Sequence, residues 1–385
     1  MHRGHSSAPY QAVEHLQADV KSPLGNRLRL GASAHTSFAP IDTPQHTTTA
    51  APSESAVAIP PAAAGRDDTM GRRMARFWLR ALFFTSERAT WMPRAMTGVV
   101  RWGVLRFAPA VRAATLANAA RILGPQSSPA ERTAMARGVV ESFFKFCIDV
   151  GRSANMTPSQ LMGEISAVVG REHYDRARAS GKGLIIATAH MGSFEVGLAG
   201  LAMQGQRLHV IFQRDEQDLF ERQRSGLRQR LNICESPIDD GWTMWIGLRD
   251  ALARGEAVVM QADRVMPGQR GQKLPFLHGH LEMPPGPAKL ARLSGAWILP
   301  IFSVRQPDGK VRLMIEPPIT PADDVDDAVP RGAARRTDPL LRKLAGVLEK
   351  YVRAYPEQWL MFHPAFCEDQ HPPQPPGHLK DPSRA

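Results

Sequence analysis

Between residues 116 and 367, short apolar runs alternate with stretches whose apolar positions recur every three or four residues. Ser128-Pro129-Ala130-Glu131 has the form of a helix start, with a hydroxyl cap, Pro at the first helical position and Glu three residues after the cap. The repeat of Val139, Phe143, Phe146 and Val150 carries that helix toward Asp149. Leu184-Ile185-Ile186-Ala187-Thr188-Ala189 follows Gly183 and reads as a strand buried on both faces. A helix over about 194–203, a strand over 208–212 and an Arg-rich helix over about 218–231 come next. Beyond them the pattern gives a helix over 244–253, a strand over 257–261, a helix over 287–294 and strands over 297–304 and 311–315. A last helix opens at Thr337-Asp338-Pro339 and buries Leu340, Leu341, Leu344, Val347, Leu348 and Tyr351. Strands separated by helices predict an α/β class with a mixed, mainly parallel sheet covered by helices on both faces. Sites in such sheets form beyond the carboxyl ends of the strands.

The flanks have a different character. Residues 1–70 are rich in Ala, Pro, Ser, Thr and His and show no apolar periodicity, so they cannot bury enough area to offset their ordering entropy. A disordered tail is expected there, and a second over 368–385, where Pro372, Pro373, Pro375 and Pro376 cluster. Between them the organisation expected is a basic amphipathic segment over 71–115 and a catalytic-sized domain over 116–367.

Charge sharpens this division. The 385-residue chain carries a formal net charge of +11. Residues 1–70 hold five basic against six acidic residues, whereas 71–115 hold nine arginines against the single Glu87. Those arginines are interleaved with Phe77, Trp78, Leu82, Phe83, Phe84, Trp91, Met92, Trp102, Leu105 and Phe107, the composition of a helix lying in an anionic lipid interface. A basic helix packed on its own domain has the same composition. Nucleic-acid binding is not indicated, because no recognised fold with base-stacking aromatics carries the charge. No window of about 18 residues is apolar enough to span a bilayer, and the N-terminus has no secretory apolar run. Cys147, Cys234 and Cys367 are far apart and form no CxxC, so neither a disulfide framework nor a zinc site is expected and a reducing compartment fits.

The chemistry concentrates in Ala189-His190-Met191-Gly192-Ser193-Phe194-Glu195. A His leaves a buried strand, and a carboxylate follows five positions later across a turn containing Gly192. On this reading Glu195 folds back to accept the imidazole Nδ1–H, which leaves Nε2 as a base. Asp263, at the exit of another strand, is a second candidate acidic partner. Arg214, Arg228 and Arg264 are candidates for substrate phosphate, which guanidinium forks hold bidentately. His278 and His280 lack a third ligand, and Asp323, Asp324, Asp326 and Asp327 lack the spacing of a calcium loop.

His190-Met191-Gly192-Ser193-Phe194-Glu195 resembles the His-x4-Asp/Glu motif of the glycerolipid-type acyltransferases, and within them the lipid A biosynthesis acyltransferase branch, whose usual form is His-Phe-Gly-Asn-Trp-Glu. Leu116-Ala117-Asn118 with Ser128-Pro129-Ala130-Glu131-Arg132, the run Gly255 to Asp263, Pro275-Phe276-Leu277-His278-Gly279 and Tyr355-Pro356-Glu357-Gln358-Trp359-Leu360 are similar to further motifs of that branch, in order. Ser193 stands in place of Asn and Phe194 in place of Trp, and the Arg-rich segment stands where the family has a spanning helix.

The resemblance implies acyl transfer from a thioester of acyl carrier protein or coenzyme A to a hydroxyl or amine of a lipid, with no metal and no further cofactor. His190 would be the base, with Glu195 and Asp263 as acidic partners. It also implies membrane lipids as partners, at the cytoplasmic face of a bacterial inner membrane, with peripheral attachment. The acceptor, the acyl length and the oligomeric state stay open. A non-catalytic lipid-binding protein and a thioester or lipid hydrolase are the competing classes, although no Gly-x-Ser-x-Gly elbow is present.

Overall fold

A computed structural model describes residues 70–212, 218–266, 269–324 and 337–367. The two expected tails, over 1–70 apart from Met70 and over 368–385, lie outside those residues, as does Arg214. The N-terminal half holds α1 (Met70–Arg88), α2 (Trp91–Ala95), α3 (Thr97–Phe107), α4 (Pro109–Leu123), α5 (Pro129–Ser153), α6 (Pro158–Gly163), β1 (Ile165–Val169) and α7 (Arg171–Ala179). Then come β2 (Leu184–Thr188), α8 (Phe194–Ala202), β3 (Leu208–Phe212), α9 (Asp218–Arg230), β4 (Cys234–Pro237), α10 (Gly241–Ala253) and β5 (Ala257–Gln261). The chain continues through β6 (Gln272–Phe276), β7 (Gly279–Met283), α11 (Gly286–Ser294), β8 (Trp297–Arg305), β9 (Val311–Ile315) and α12 (Pro339–Ala354).

Among the described residues seven strands form one sheet in the order β1-β9-β8-β2-β5-β3-β4, in which the β8–β9 pair alone is antiparallel. The fold is therefore α/β with a mainly parallel mixed sheet, as the alternation of elements implied. The separate hairpin β6–β7 was not foreseen.

The central strands show why continuous apolar runs were needed. Ile185 and Ala187 of β2, Val258 and Met260 of β5 and Ile298 of β8 pack in one core layer, together with Leu248 of α10, Leu290 of α11 and Leu344 of α12. Leu184, Ile186, Ala257, Val259 and Leu299 face the other way, against Tyr174 and Ala177 of α7 and Leu198 and Leu201 of α8. Alternate residues of a strand point to opposite faces, so a strand covered by helices on both sides must be apolar throughout.

α5 begins as its sequence indicates. Ser128 Oγ accepts the Glu131 N–H, and the Glu131 carboxylate accepts the Ser128 N–H at 2.7 Å. The helix runs four residues past Asp149, and its last turns receive α1. Phe83 of α1, expected at the lipid interface, is instead buried with Phe146, Val150 and Leu360, because it lies on the face of α1 that packs against α5. Gly151 permits this approach, since a Cβ there would meet Phe83 Cδ1 at 3.0 Å. α4 crosses the expected division at residue 115, so the helical segment and the sheet domain are joined within one helix. Among the described residues no helix is long and apolar enough to cross a membrane.

Candidate active site

The register of the central strands sets the site. Thr188, the last residue of β2, pairs with Gln261, the last residue of the parallel strand β5. The residues two positions beyond each end, His190 and Asp263, therefore leave the sheet side by side. Asp263 is fully buried, and its Oδ1 lies 2.8 Å from His190 Nδ1. Its Oδ2 accepts the backbone N–H of His190 at 3.0 Å. An ionised carboxylate can only accept, so Nδ1 carries the hydrogen, and in the neutral ring it is Nε2 that presents the lone pair. Among the described residues Nε2 has no hydrogen-bonding partner, and the His190 side chain keeps 22% of its surface exposed. Burial pushes the Asp263 carboxyl up, but the charge and hydrogen bond of His190, with the nearby Arg264 and the Trp359 N–H, outweigh it and hold the group down to about 2.

The turn after His190 is tightly built. Gly192 has φ +56°, and a Cβ there would lie 2.0 Å from the Ser303 carbonyl oxygen, so only glycine fits. Ser193 donates its hydroxyl to Asp149 Oδ2 at 2.6 Å, and the Arg305 guanidinium donates to the same oxygen. The segment 358–360 then wraps the outside of the turn. Gly192 N–H donates to the Gln358 carbonyl at 3.0 Å and Leu360 N–H to the His190 carbonyl at 2.7 Å.

Glu195 does not hold the histidine ring, which corrects the reading from spacing. It lies in the first turn of α8 and is 2% exposed. Its Oε1 accepts from Arg224 Nε at 2.5 Å and from Arg228 Nη2 at 3.1 Å. Burial raises the Glu195 carboxyl, and the two guanidinium charges more than reverse the effect, so it is held below the usual range. Two arginines of α9 capture the carboxylate, and the imidazole N–H goes to Asp263 instead.

The three candidate arginines separate. Arg228 is buried in the interior, where it also pairs with Glu221 at 3.0 Å and Glu235 at 3.2 Å, so its guanidinium is committed to protein carboxylates rather than presented to a substrate phosphate. Arg264 follows Asp263 directly, is half-buried, and its charge acts on both Asp263 and His363. Arg214 lies outside the described residues. Arg224 was not singled out from the sequence, yet its guanidinium carbon is 5.8 Å from the centre of the Phe194 ring. That ring in turn meets His190 edge-on at 5.9 Å. The only advance signal was the i, i+4 spacing of Arg224 and Arg228, which places both on one face of α9.

Phe194 stacks on Phe146 at 4.5 Å, and with Phe220 and Leu79 it packs on one apolar cluster, whose edge at Phe194 meets the histidine. A base with a free Nε2, fixed by a buried carboxylate and flanked by apolar surface, is equipped to take a proton from a hydroxyl or amine on an amphiphilic molecule. Among the described residues no group of three or more His, Cys, Asp or Glu could hold a metal ion.

The model of the bacterial lipid A biosynthesis acyltransferases matches residues 72–368. The chain belongs to that family. It is similar to the lipid A biosynthesis lauroyltransferase of Escherichia coli (strain K12), 27% identical over 243 residues, covering 63% of this chain and 74% of that protein. It is also similar to the phosphatidylinositol mannoside acyltransferase of Mycobacterium tuberculosis (strain CDC 1551 / Oshkosh), 26% identical over 185 residues, which cover 48% of this chain and 58% of that relative. The corresponding protein of Mycolicibacterium smegmatis is 23% identical over 255 residues, 66% of this chain and 78% of its own length. The chain is thus an acyltransferase of lipid biosynthesis, and the expectation of that family is met.

Proposed function

We propose that this acyltransferase moves a fatty acyl group from a thioester of acyl carrier protein or coenzyme A to a hydroxyl or amine of a glycolipid, with His190 as general base. The observation that carries the reading is the His190–Asp263 pair at neighbouring strand ends, with Nε2 uncovered. In this mechanism Nε2 takes the acceptor proton as the acceptor oxygen or nitrogen bonds to the thioester carbonyl carbon. Asp263 steadies the imidazolium that results. The carbonyl oxygen becomes an oxyanion, favoured by the positive N-terminal end of α8 and by the Arg224 guanidinium. Collapse breaks the carbon–sulfur bond, and the imidazolium returns its proton to the departing thiolate. Glu195 serves by holding Arg224 in place, and Arg264 and Arg214 stay candidates for a substrate phosphate.

The acceptor reaches this site from a membrane surface. Phe77, Trp78, Phe84, Trp91, Trp102 and Phe107 on α1–α3 are each more than half exposed, on helices that carry Arg80, Arg88, Arg94, Arg101 and Arg106. Aromatics at the headgroup level with arginines beside anionic lipid constitute a peripheral anchor.

The test incubates purified protein with acyl-carrier-protein and acyl-coenzyme A thioesters and a bacterial glycolipid extract, following thiol release and lipid mass together. Acylated glycolipid formed in proportion to thiol, and absent with His190→Ala, is the expected result. Thiol release with free fatty acid as the sole product would overturn transfer in favour of hydrolysis.

A further inference from the structure

The motif Tyr355-Pro356-Glu357-Gln358-Trp359-Leu360 holds none of the groups that exchange protons in this mechanism, yet its last three residues each touch the turn that carries His190 or the carboxylate of Asp263. Gln358 is fastened to the end of β8 by a two-bond clamp. Its Oε1 accepts the Arg305 N–H and its Nε2 donates to the Arg305 carbonyl, both at 2.8 Å. Its own carbonyl holds Gly192, Trp359 bridges to Met191, and Leu360 holds the carbonyl of His190. The strap thus ties the sheet to the turn that carries the histidine.

Trp359 is 1% exposed, and its Nε1–H donates to Asp263 Oδ2 at 2.9 Å. That oxygen also receives the His190 backbone N–H, so two fixed donors occupy Oδ2 and leave Oδ1 directed at the ring. Both the indole and the carboxylate are shut off from water, and water cannot replace a lost donor. We propose that Trp359 is a positioning residue for acyl transfer: its indole N–H fixes the rotation and the charge of Asp263 and, through Asp263, the orientation and basicity of His190. The inference rests on the reading of His190 as the base.

Loss of the indole N–H leaves the Asp263 charge with one donor fewer. A less stabilised carboxylate holds the imidazolium proton more strongly, so the protonated pair persists to higher pH. Among the described residues, the other charged or titratable groups near the pair are Arg264 at the exit of β5, His363 beyond the strap and Arg224 across the Phe194 ring, and none of them is changed by a substitution at 359. A purely structural tryptophan would lower stability without moving the pH profile.

The experiment records kcat, KM and the pH dependence of kcat/KM for the full-length wild type, Trp359→Phe, and a protein with 3-benzothienylalanine at 359. The last residue keeps the bicyclic shape and replaces the N–H by sulfur, so it reports on the hydrogen bond even where the cavity left by Phe prevents folding. The acid limb should move up by about half to one pH unit and kcat fall roughly tenfold at unchanged KM. Profiles that superimpose on the wild type, with His190→Ala inactive in the same assay, would overturn the role of Trp359 alone. Wild-type turnover by His190→Ala would instead remove the reading on which it rests.

Discussion

Asp263 grips His190 at two points, one carboxylate oxygen on the ring Nδ1 and the other on the backbone N–H. The second contact matters as much as the first, because it ties the carboxylate to the main chain that sets where the ring begins. Removing the ring should lower turnover by roughly 10² to 10⁴, the usual yield of a positioned base, with folding intact. Asp263→Asn should give a loss of similar order, since an amide can present its NH₂ to Nδ1 and force the wrong tautomer. Steady-state rates on a thioester donor, with circular dichroism to verify the fold, check both. A folded His190→Ala protein at near wild-type rate would remove the mechanism.

Glu195 should behave differently from His190. Its carboxylate pairs with the buried Arg228 and the partly buried Arg224, so Glu195→Gln leaves both charges short of a partner. Breaking a buried pair of this kind costs about 3–5 kcal/mol. Urea denaturation should show that loss for Glu195→Gln and little change for His190→Ala, while both variants lose activity. Equal stability of the two would mean that Glu195 acts on the reaction without supporting the fold.

The contrast between these two residues also marks how far the sequence could be read. β3, β5 and β9 match the spans expected from apolar runs, because strands with covered faces advertise themselves. β1 and β4 were missed: each sits at an edge of the sheet, β1 is half exposed, and β4 reads Cys-Glu-Ser-Pro. α7 escaped because only Tyr174 and Ala177 are buried on an otherwise charged helix. His190 and Asp263 were legible as residues at the ends of apolar strands, and parallel register brings such residues together. The partner of Glu195 was not legible, since Arg224 and Arg228 lie 29 and 33 positions further on and meet it through the packing of α9.

Acid should destabilise the protein through the same carboxylates. The folded-state values of Asp263, about 2 against an ordinary 3.8, and of Glu195 are both depressed. The unfolded chain then binds protons first as pH falls, so the stability these groups contribute is complete above about pH 4.5 and is lost as pH drops toward 2. Urea midpoints measured from pH 6 to pH 2.5 should decline in that window for the wild type, and less steeply for Asp263→Asn. Parallel declines in both proteins would show that Asp263 is not depressed in the fold.

Membrane attachment should depend on the outward face of α1–α3 rather than on a spanning helix. Trp78, Trp91 and Trp102 are 61%, 71% and 62% exposed, whereas Phe83 on the same segment is buried against Phe146. Replacing the three tryptophans by Ala therefore removes outward apolar area without touching the contact that holds α1 to the domain. Each arginine close to an anionic surface contributes on the order of 1 kcal/mol, and salt screens that part over a Debye length of about 10 Å at 0.1 M. Co-sedimentation with vesicles containing phosphatidylglycerol should fall with added salt and fall further in the triple variant, while turnover of a detergent-dispersed acceptor stays near the wild-type rate. Undiminished sedimentation of the triple variant would place the lipid-facing surface elsewhere. Lost turnover in detergent would show instead that these tryptophans shape the acceptor site itself.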